Sequence, residues 1–199
     1  MVGAALGADA VTLETGTGLV PIVLERDGDR IVFGRMRQPI PSWEPYQHAG
    51  ELIAALGAEQ PGLPVEVYRN SPPHVYVQLA SEEAVAALRP DLAALADLQV
   101  AVNCFAGRGR SWKARMFYPA AGISEDPATG SAAGPLAIHL ARHSRIGFGE
   151  QIKIRQGAKI GRPSVLYAMV TGEGDRIDSV EVGGTALIVA EGRFRVTPA

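Results

Sequence analysis

The chain is poor in cysteine. Cys104 is the single one in 199 residues. A disulfide within the chain is therefore excluded, and so is a metal site built on thiolates. Cys104 falls in the apolar run "VAVNCF", where a buried strand thiol is expected. An excess of one charge is also lacking. Nineteen Lys and Arg stand against 21 Asp and Glu, a formal net charge of −2. Bulk charge thus provides no attraction to nucleic acid or to an anionic membrane. Arg108, Arg110 and Lys113 make the densest basic cluster and read as a solvated loop rather than a phosphate site. No apolar run approaches the length of a membrane span. The N-terminal "MVGAALGADA" has no basic region ahead of its short apolar stretch, so no secretory leader is expected and the protein reads as cytoplasmic. Short-period repeats and low-complexity tracts are missing as well.

What is present is apolar and rich in strand signals. Hydrophobic residues make up 47% of the chain, enough for one large domain or two small ones. "AVTLET", "LVPIVLE" and "RIVFGRM" are short and β-branched, with Asp27-Gly28-Asp29 as a hairpin turn. "VEVYRN", "HVYVQL", "LQVAVNCF", "KARMFY", "EQIKIRQ", "SVLYAMVTG", "DSVEVG", "TALIVAE" and "RFRVT" follow. Alternation in "QIKIR" and "RFRV" argues for half-buried antiparallel strands. Helices are fewer. "AGELIAALG", "SEEAVAALRPD" (with Ser81 as cap) and "DLAALADL" are short candidates. The stretch 131–143 is apolar almost all round, so it predicts a buried helix. A buried helix among many antiparallel strands implies an α+β fold with a sheet curled around a central helix. The prolines of "QPIPSWEPY" suggest a boundary there. Residues 1–45 then form a strand ribbon, and 61–183 read as a complete unit.

The densest chemistry lies at the start of that helix, in "SEDPATGSAAG". Pro127 biases Asp126 toward an extended or turn backbone. The first N–H groups of a helix have no internal partners, so Gly130, Ser131 and Ala132 offer donors to an anion such as a carboxylate. Pro135 leaves them free whether the helix starts at Ser131 or later. Asp126 at the rim is placed to move a proton. The bland alternative is that Asp126 caps the turn and Ser131 the helix, and spacing alone does not separate the two. Arg115, just upstream, is placed either to orient a carboxylate or to sit on a strand surface. His74 is a candidate ligand contact, and His139 reads as a core residue. The four histidines show no metal spacing, and neither "GTG" nor "QGAKIGRPS" completes a phosphate-binding loop.

"RMFYPAAGISEDPATGSAAGPLAIHL" closely resembles the signature of the PhzF-like isomerases of phenazine biosynthesis, which share the diaminopimelate epimerase-like fold. "MRQP", "QGAKIGRPS" and "VEVGGTALIVAEGRFRV" are similar to further segments of that family, in the same order. The resemblance runs from about Val11 onward. It implies two lobes, each a sheet curled around a helix, with the active site between them and no metal or organic cofactor. It implies proton transfer on a small carboxylate-bearing metabolite. Asp126 matches the second-lobe aspartate, and Gly130 and Ser131 match residues that line the substrate pocket; Thr129, Ala132, Arg115 and His74 are candidate substrate contacts on their position in this sequence. In this reading residues 61–183 are the complete second lobe, while 1–45 and 184–199 are strands of the first. The family's first-lobe glutamate and Gly-His pair have no match here: Glu14 and His48 stand in the wrong contexts. The expected reading is therefore half of a proton-transfer site. Its alternative is a shortened, inactive homologue that dimerises and binds a small carboxylate. A homodimer or a separate first-lobe chain is the expected partner, because strands 1–45 would otherwise expose apolar surface.

Overall fold

A computed structural model of the chain describes residues 7–15, 18–59, 61–70, 72–186, 190 and 192. The strands expected in "TALIVAE" and "RFRVT", and with them most of 184–199, lie outside the described residues. The first three strands are β1 (Ala10–Thr15), β2 (Gly18–Asp27) and β3 (Arg30–Arg37). β2 and β3 form the expected hairpin: Asp27 pairs with Arg30, and Gly28 takes the positive φ of 57° that the tight turn requires. Next come β4 (Ser42–Pro45), helix α1 (Ala49–Leu56), β5 (Glu66–Arg69) and β6 (Pro73–Gln78). Two short helices follow, α2 (Glu82–Ala87) and α3 (Leu92–Asp97). Ser81 caps α2 by accepting from the Ala84 N–H, and Asp91 caps α3 by accepting from Ala93 and Ala94. The chain continues through β7 (Ala101–Arg108), β8 (Ser111–Tyr118), β9 (Ile123–Asp126) and helix α4 (Gly130–Arg142). It closes with β10 (Ile152–Gln156), β11 (Ser164–Glu173) and β12 (Arg176–Gly184).

Among the described residues these strands form one sheet, in the order β1-β2-β3-β12-β11-β10-β8-β7-β6-β5-β4, with β9 paired to β8 off that path. The sheet is mixed, which corrects the antiparallel expectation. β6 runs parallel to β7, and β8 runs parallel to β10. The reason lies in the connections. α2 and α3 stand between β6 and β7, and α4 stands between β8 and β10. A helical crossover returns the chain to the same end of the sheet, whereas a tight hairpin reverses it. The α+β character holds: few helices, many strands, and one buried helix.

Two cores sit against this sheet. One packs α4 against Tyr68, Tyr76, Phe105, Trp112, Ile152, Ile154 and Val180. The other packs α1, α2 and α3 against Val67, Val75, Val77, Val102, Cys104 and Phe117. Strand alternation sends Tyr76 to the first core and its neighbours Val75 and Val77 to the second. Cys104 is fully buried, and burial pushes its thiol up to about 12. Every residue of α4 from Ala132 to Leu140 is buried, as an all-round apolar helix requires. The helix ends where Ser144 takes a φ of 55°, and the Arg145 N–H closes onto the Leu140 carbonyl at 2.8 Å. β1 to β3 contribute no buried member to either core. No helix among the described residues is long and apolar enough to cross a membrane.

Candidate functional site

α4 begins at Gly130 with Thr129 as the flanking residue, one position earlier than the sequence predicts. No side chain caps it, so Ser131 is not the cap. The Ala132 N–H turns back to the Thr129 carbonyl at 3.2 Å. The donors without a protein acceptor at this helix start are therefore those of Gly130 and Ser131, among the described residues. The helix start therefore leaves fewer such donors than expected, because the Ala132 N–H is already engaged.

The preceding turn is held by a residue the sequence reading passed over. Gln156, the last residue of β10, donates from Nε2 to the Asp126 carbonyl at 2.7 Å and to Thr129 Oγ1 at 2.8 Å. Thr129 Oγ1 in turn donates to Asp126 Oδ2 at 2.7 Å. One carboxylate oxygen of the half-buried Asp126 is thereby fixed, and the Ala128 N–H lies 3.5 Å from the other. Gly157 follows immediately with a φ of 79°; a Cβ there would press on Pro127 and on the Arg162 carbonyl. "QGAKIGRPS" is thus the back of the site turn rather than a phosphate loop.

Pro135 lies inside α4, where it removes one N–H and leaves the Ser131 carbonyl without its helical donor. Asn70 Nδ2 replaces that donor at 3.2 Å. Gln38 of "MRQP" donates to the Gly130 carbonyl at 2.8 Å, and Tyr76 donates to the Ala132 carbonyl at 2.8 Å. Tyr76 from β6 and Gln38 and Asn70, each just past the end of a strand, therefore brace the first turn of the helix.

The structure brings Asp126, Thr129, Gly130, Ser131 and His74 together. His74 is fully buried, and its Nε2 lies 3.0 Å from Ser131 Oγ. Burial pushes its imidazole down to about 4, against the upward pull of the Asp126 carboxylate. It stands behind Ser131 rather than in the open. Arg115 is not part of this group. It is buried, forks onto Glu125 at 3.0 and 2.7 Å, and donates to the carbonyls of Val85 and Leu88. These bonds pin α2 and β9 to β8. A groove of about 770 Å³ adjoins the helix start through Ala128 and Gly130 and is lined further by Met36, Arg162 and Val182. Asp126, Ser131 and His74 are not in its lining.

A second polar cluster lies at the other end of α4. Glu66 Oε2 accepts from Tyr68, His139, His143 and Arg142 at 2.8 to 3.2 Å. Burial raises the Glu66 carboxyl, but bonds from His139, His143 and Tyr68 and the Arg142 charge outweigh that and hold it well below the ordinary carboxylate range. Glu66, His139 and His143 lie within 4.8 Å of one another, a grouping that histidine spacing in the sequence did not predict. Arg142 already supplies the cation, and Trp43 covers its guanidinium at 4.4 Å. The cluster therefore reads as a buried ion network that anchors the helix end.

Comparison with known proteins agrees with this architecture. A family model described as phenazine biosynthesis-like protein matches residues 2–192. A trans-2,3-dihydro-3-hydroxyanthranilate isomerase from Pseudomonas aeruginosa is 55% identical over 192 residues, 96% of this chain and 69% of the relative. The chain spans about two thirds of the length of the curated relatives it matches, 65% in the case of the isomerase of that name from Pseudomonas chlororaphis. A solved structure described as a predicted epimerase from Pseudomonas aeruginosa superposes with a TM-score of 0.79 at 27% identity, covering 98% of this chain and 71% of its own. A hydroxyproline epimerase from Agrobacterium vitis superposes at 0.56 with 14% identity, over 88% of this chain and 56% of its own, which shows shared fold alone. The braced helix start, the signature around Asp126 and a family match across nearly the whole sequence converge: this chain belongs to the phenazine biosynthesis-like protein family.

Proposed function

We propose that this chain supplies the second-lobe half of an isomerase site that transfers a proton on a small carboxylate-bearing metabolite. Asp126 is the acid/base, and the N–H groups of Gly130 and Ser131 with the Ser131 hydroxyl hold the carboxylate. The observation that supports this most strongly is the meeting of Asp126, Thr129 and Ser131 at a braced, uncapped start of a buried helix. Where the two carbons lie too far apart for one carboxyl to reach both, moving a proton between them takes a second group to take up or deliver it. In this reading that group is a first-lobe glutamate outside these 199 residues, and no metal or organic cofactor takes part.

The natural probe is the substrate named for the Pseudomonas relatives, offered in deuterium oxide. The chain alone should incorporate no deuterium. Addition of the N-terminal third of such a relative should restore uptake, and Asp126→Asn should abolish the restored signal. Restored uptake that survives Asp126→Asn would remove Asp126 from the mechanism.

A second reading is favoured by one observation. Leu13, Leu19, Val23 and Val32 on β1 to β3 are exposed, Leu19 at 71% and Val23 at 57%. A shortened homologue that covers these residues with a second copy and binds a carboxylate without turnover would account for them. It predicts carboxylate binding by a dimer and no deuterium uptake even after a first lobe is added.

A further inference from the structure

The residues behind Ser131 decide which way its hydroxyl donates. Asn103 is buried in the middle of apolar β7. Its Nδ2 lies 3.2 Å from His74 Nδ1, 3.4 Å from the Val75 carbonyl and 3.5 Å from the Ala101 carbonyl. Carbonyl oxygens only accept, so the amide atom facing them is the nitrogen, and it donates. His74 Nδ1 therefore accepts, and a neutral imidazole then carries its proton on Nε2. Nε2 is 3.0 Å from Ser131 Oγ, so the serine oxygen accepts from it. The hydroxyl proton of Ser131 takes no protein acceptor among the described residues. Ser131 is half-exposed beside its own unengaged N–H.

We infer that Asn103 and His74 are positioning residues that hold Ser131 as a fixed hydrogen-bond donor toward a carboxylate, or an oxyanion developing on it, bound at the start of α4. This rests on the reading of that helix start as a carboxylate site. The chain of bonds runs one way, from Asn103 to His74 to Ser131 to ligand. A preset donor needs no reorientation when charge appears on the ligand. The same geometry removes His74 from proton transfer. A charged imidazole would turn a second N–H against the Asn103 amide, and its burial opposes the charge. His74 is enclosed behind Ser131 and meets the ligand only through it.

Two measurements on the full chain test this. The first is the nitrogen-15 spectrum of the His74 ring at pH 7. It should show the Nε2–H tautomer, and Asn103→Leu should convert it to a mixture. An Nδ1–H tautomer or a doubly protonated ring in the unaltered chain overturns the inference, and this reading requires no variant to fold. The second is calorimetric titration with 3-hydroxyanthranilate, the aromatic counterpart of the relatives' substrate. Asn103→Leu and Ser131→Ala should each weaken binding about tenfold, and the double variant should be no weaker than Ser131→Ala alone. His74→Gln, whose amide can still donate to Ser131, should bind within about threefold of the unaltered chain. Should Asn103→Leu weaken binding further in a Ser131→Ala background, its effect is general distortion and the inference fails. If the unaltered chain binds the probe and Asn103→Leu changes nothing, this inference alone fails. If the unaltered chain does not bind it, the carboxylate-site reading fails and the donor has no ligand to serve.

Discussion

Gly130 and Gly134 stand one turn apart on α4 and meet different surroundings. A Cβ on Gly134 would collide with Gln38 Oε1 and Val180 Cγ1, whereas one on Gly130 would meet Met36 Cε at an ordinary 3.5 Å. Gly134→Ala should therefore cost about 1–3 kcal/mol by urea unfolding, while Gly130→Ala should stay within about 1 kcal/mol. Gln38 also braces the Gly130 carbonyl, so Gly134→Ala should loosen the helix start together with the core. His74 sets a second test. Its folded-state value is about 4 against an unfolded 6.5, so between those pH values the unfolded chain binds more protons. Stability should be full above pH 6.5 and should fall by about 3 kcal/mol as pH drops to 4. The value of about 4 already includes the upward pull of the nearby Asp126 carboxylate. Thermal melts of the unaltered chain and of His74→Gln should diverge across that window. Parallel curves would show that His74 is not held neutral.

At the scale of elements, α4 was readable because its apolar residues leave no polar face. The short helices were readable because Ser81 and Asp91 sit where caps belong. Strand direction was not readable. Alternation in "QIKIR" reports that Ile152 and Ile154 face inward, and it says nothing about whether β10 runs with or against β8. The site was legible in part. Asp126, Gly130 and Ser131 stood out because Pro and Gly mark the turn. Asn103, Gln156 and Gln38 did not, because each acts through contacts more than 25 residues away. A polar residue inside "VAVNCF" was the available signal: a buried amide must find partners, and Asn103 meets that need where Cys104 does not. The far end of α4 carries its own prediction. Glu66→Gln removes the one anion shared by Tyr68, His139, His143 and Arg142, and should cost about 3 kcal/mol at pH 7 by urea unfolding. The Glu66 carboxyl is depressed, so its stabilisation is present above the unfolded value of 4.5 and is lost as pH falls. The gap between Glu66→Gln and the unaltered chain should accordingly narrow below pH 4.5. A gap that is constant down to pH 3 would assign the loss to shape rather than charge.

Across the whole molecule, stability is distributed unevenly. Both cores draw their buried members from Leu52 to Val182, and β1 to β3 supply none. Among the described residues, those strands are joined to the rest of the sheet through the pairing of β3 with β12 over Glu181 to Gly184, and β1 is the last strand of the order. Backbone ladders without a packed face open at low free energy, because little apolar surface is exposed when they part. Amides of β1 and β2 should therefore exchange with deuterium orders of magnitude faster than those of β7, β8 and α4. Whatever covers Leu13, Leu19, Val23 and Val32 should slow that exchange selectively. A second copy would do so with rising protein concentration, alongside a sedimentation mass near twice 21.0 kDa, and Val23→Asp would reverse both. A first-lobe segment would do so at any concentration and without the doubled mass. Protection of β1 and β2 equal to that of α4, in dilute chain alone, would mean that the ribbon is stabilised by something other than burial and would defeat this division of the molecule.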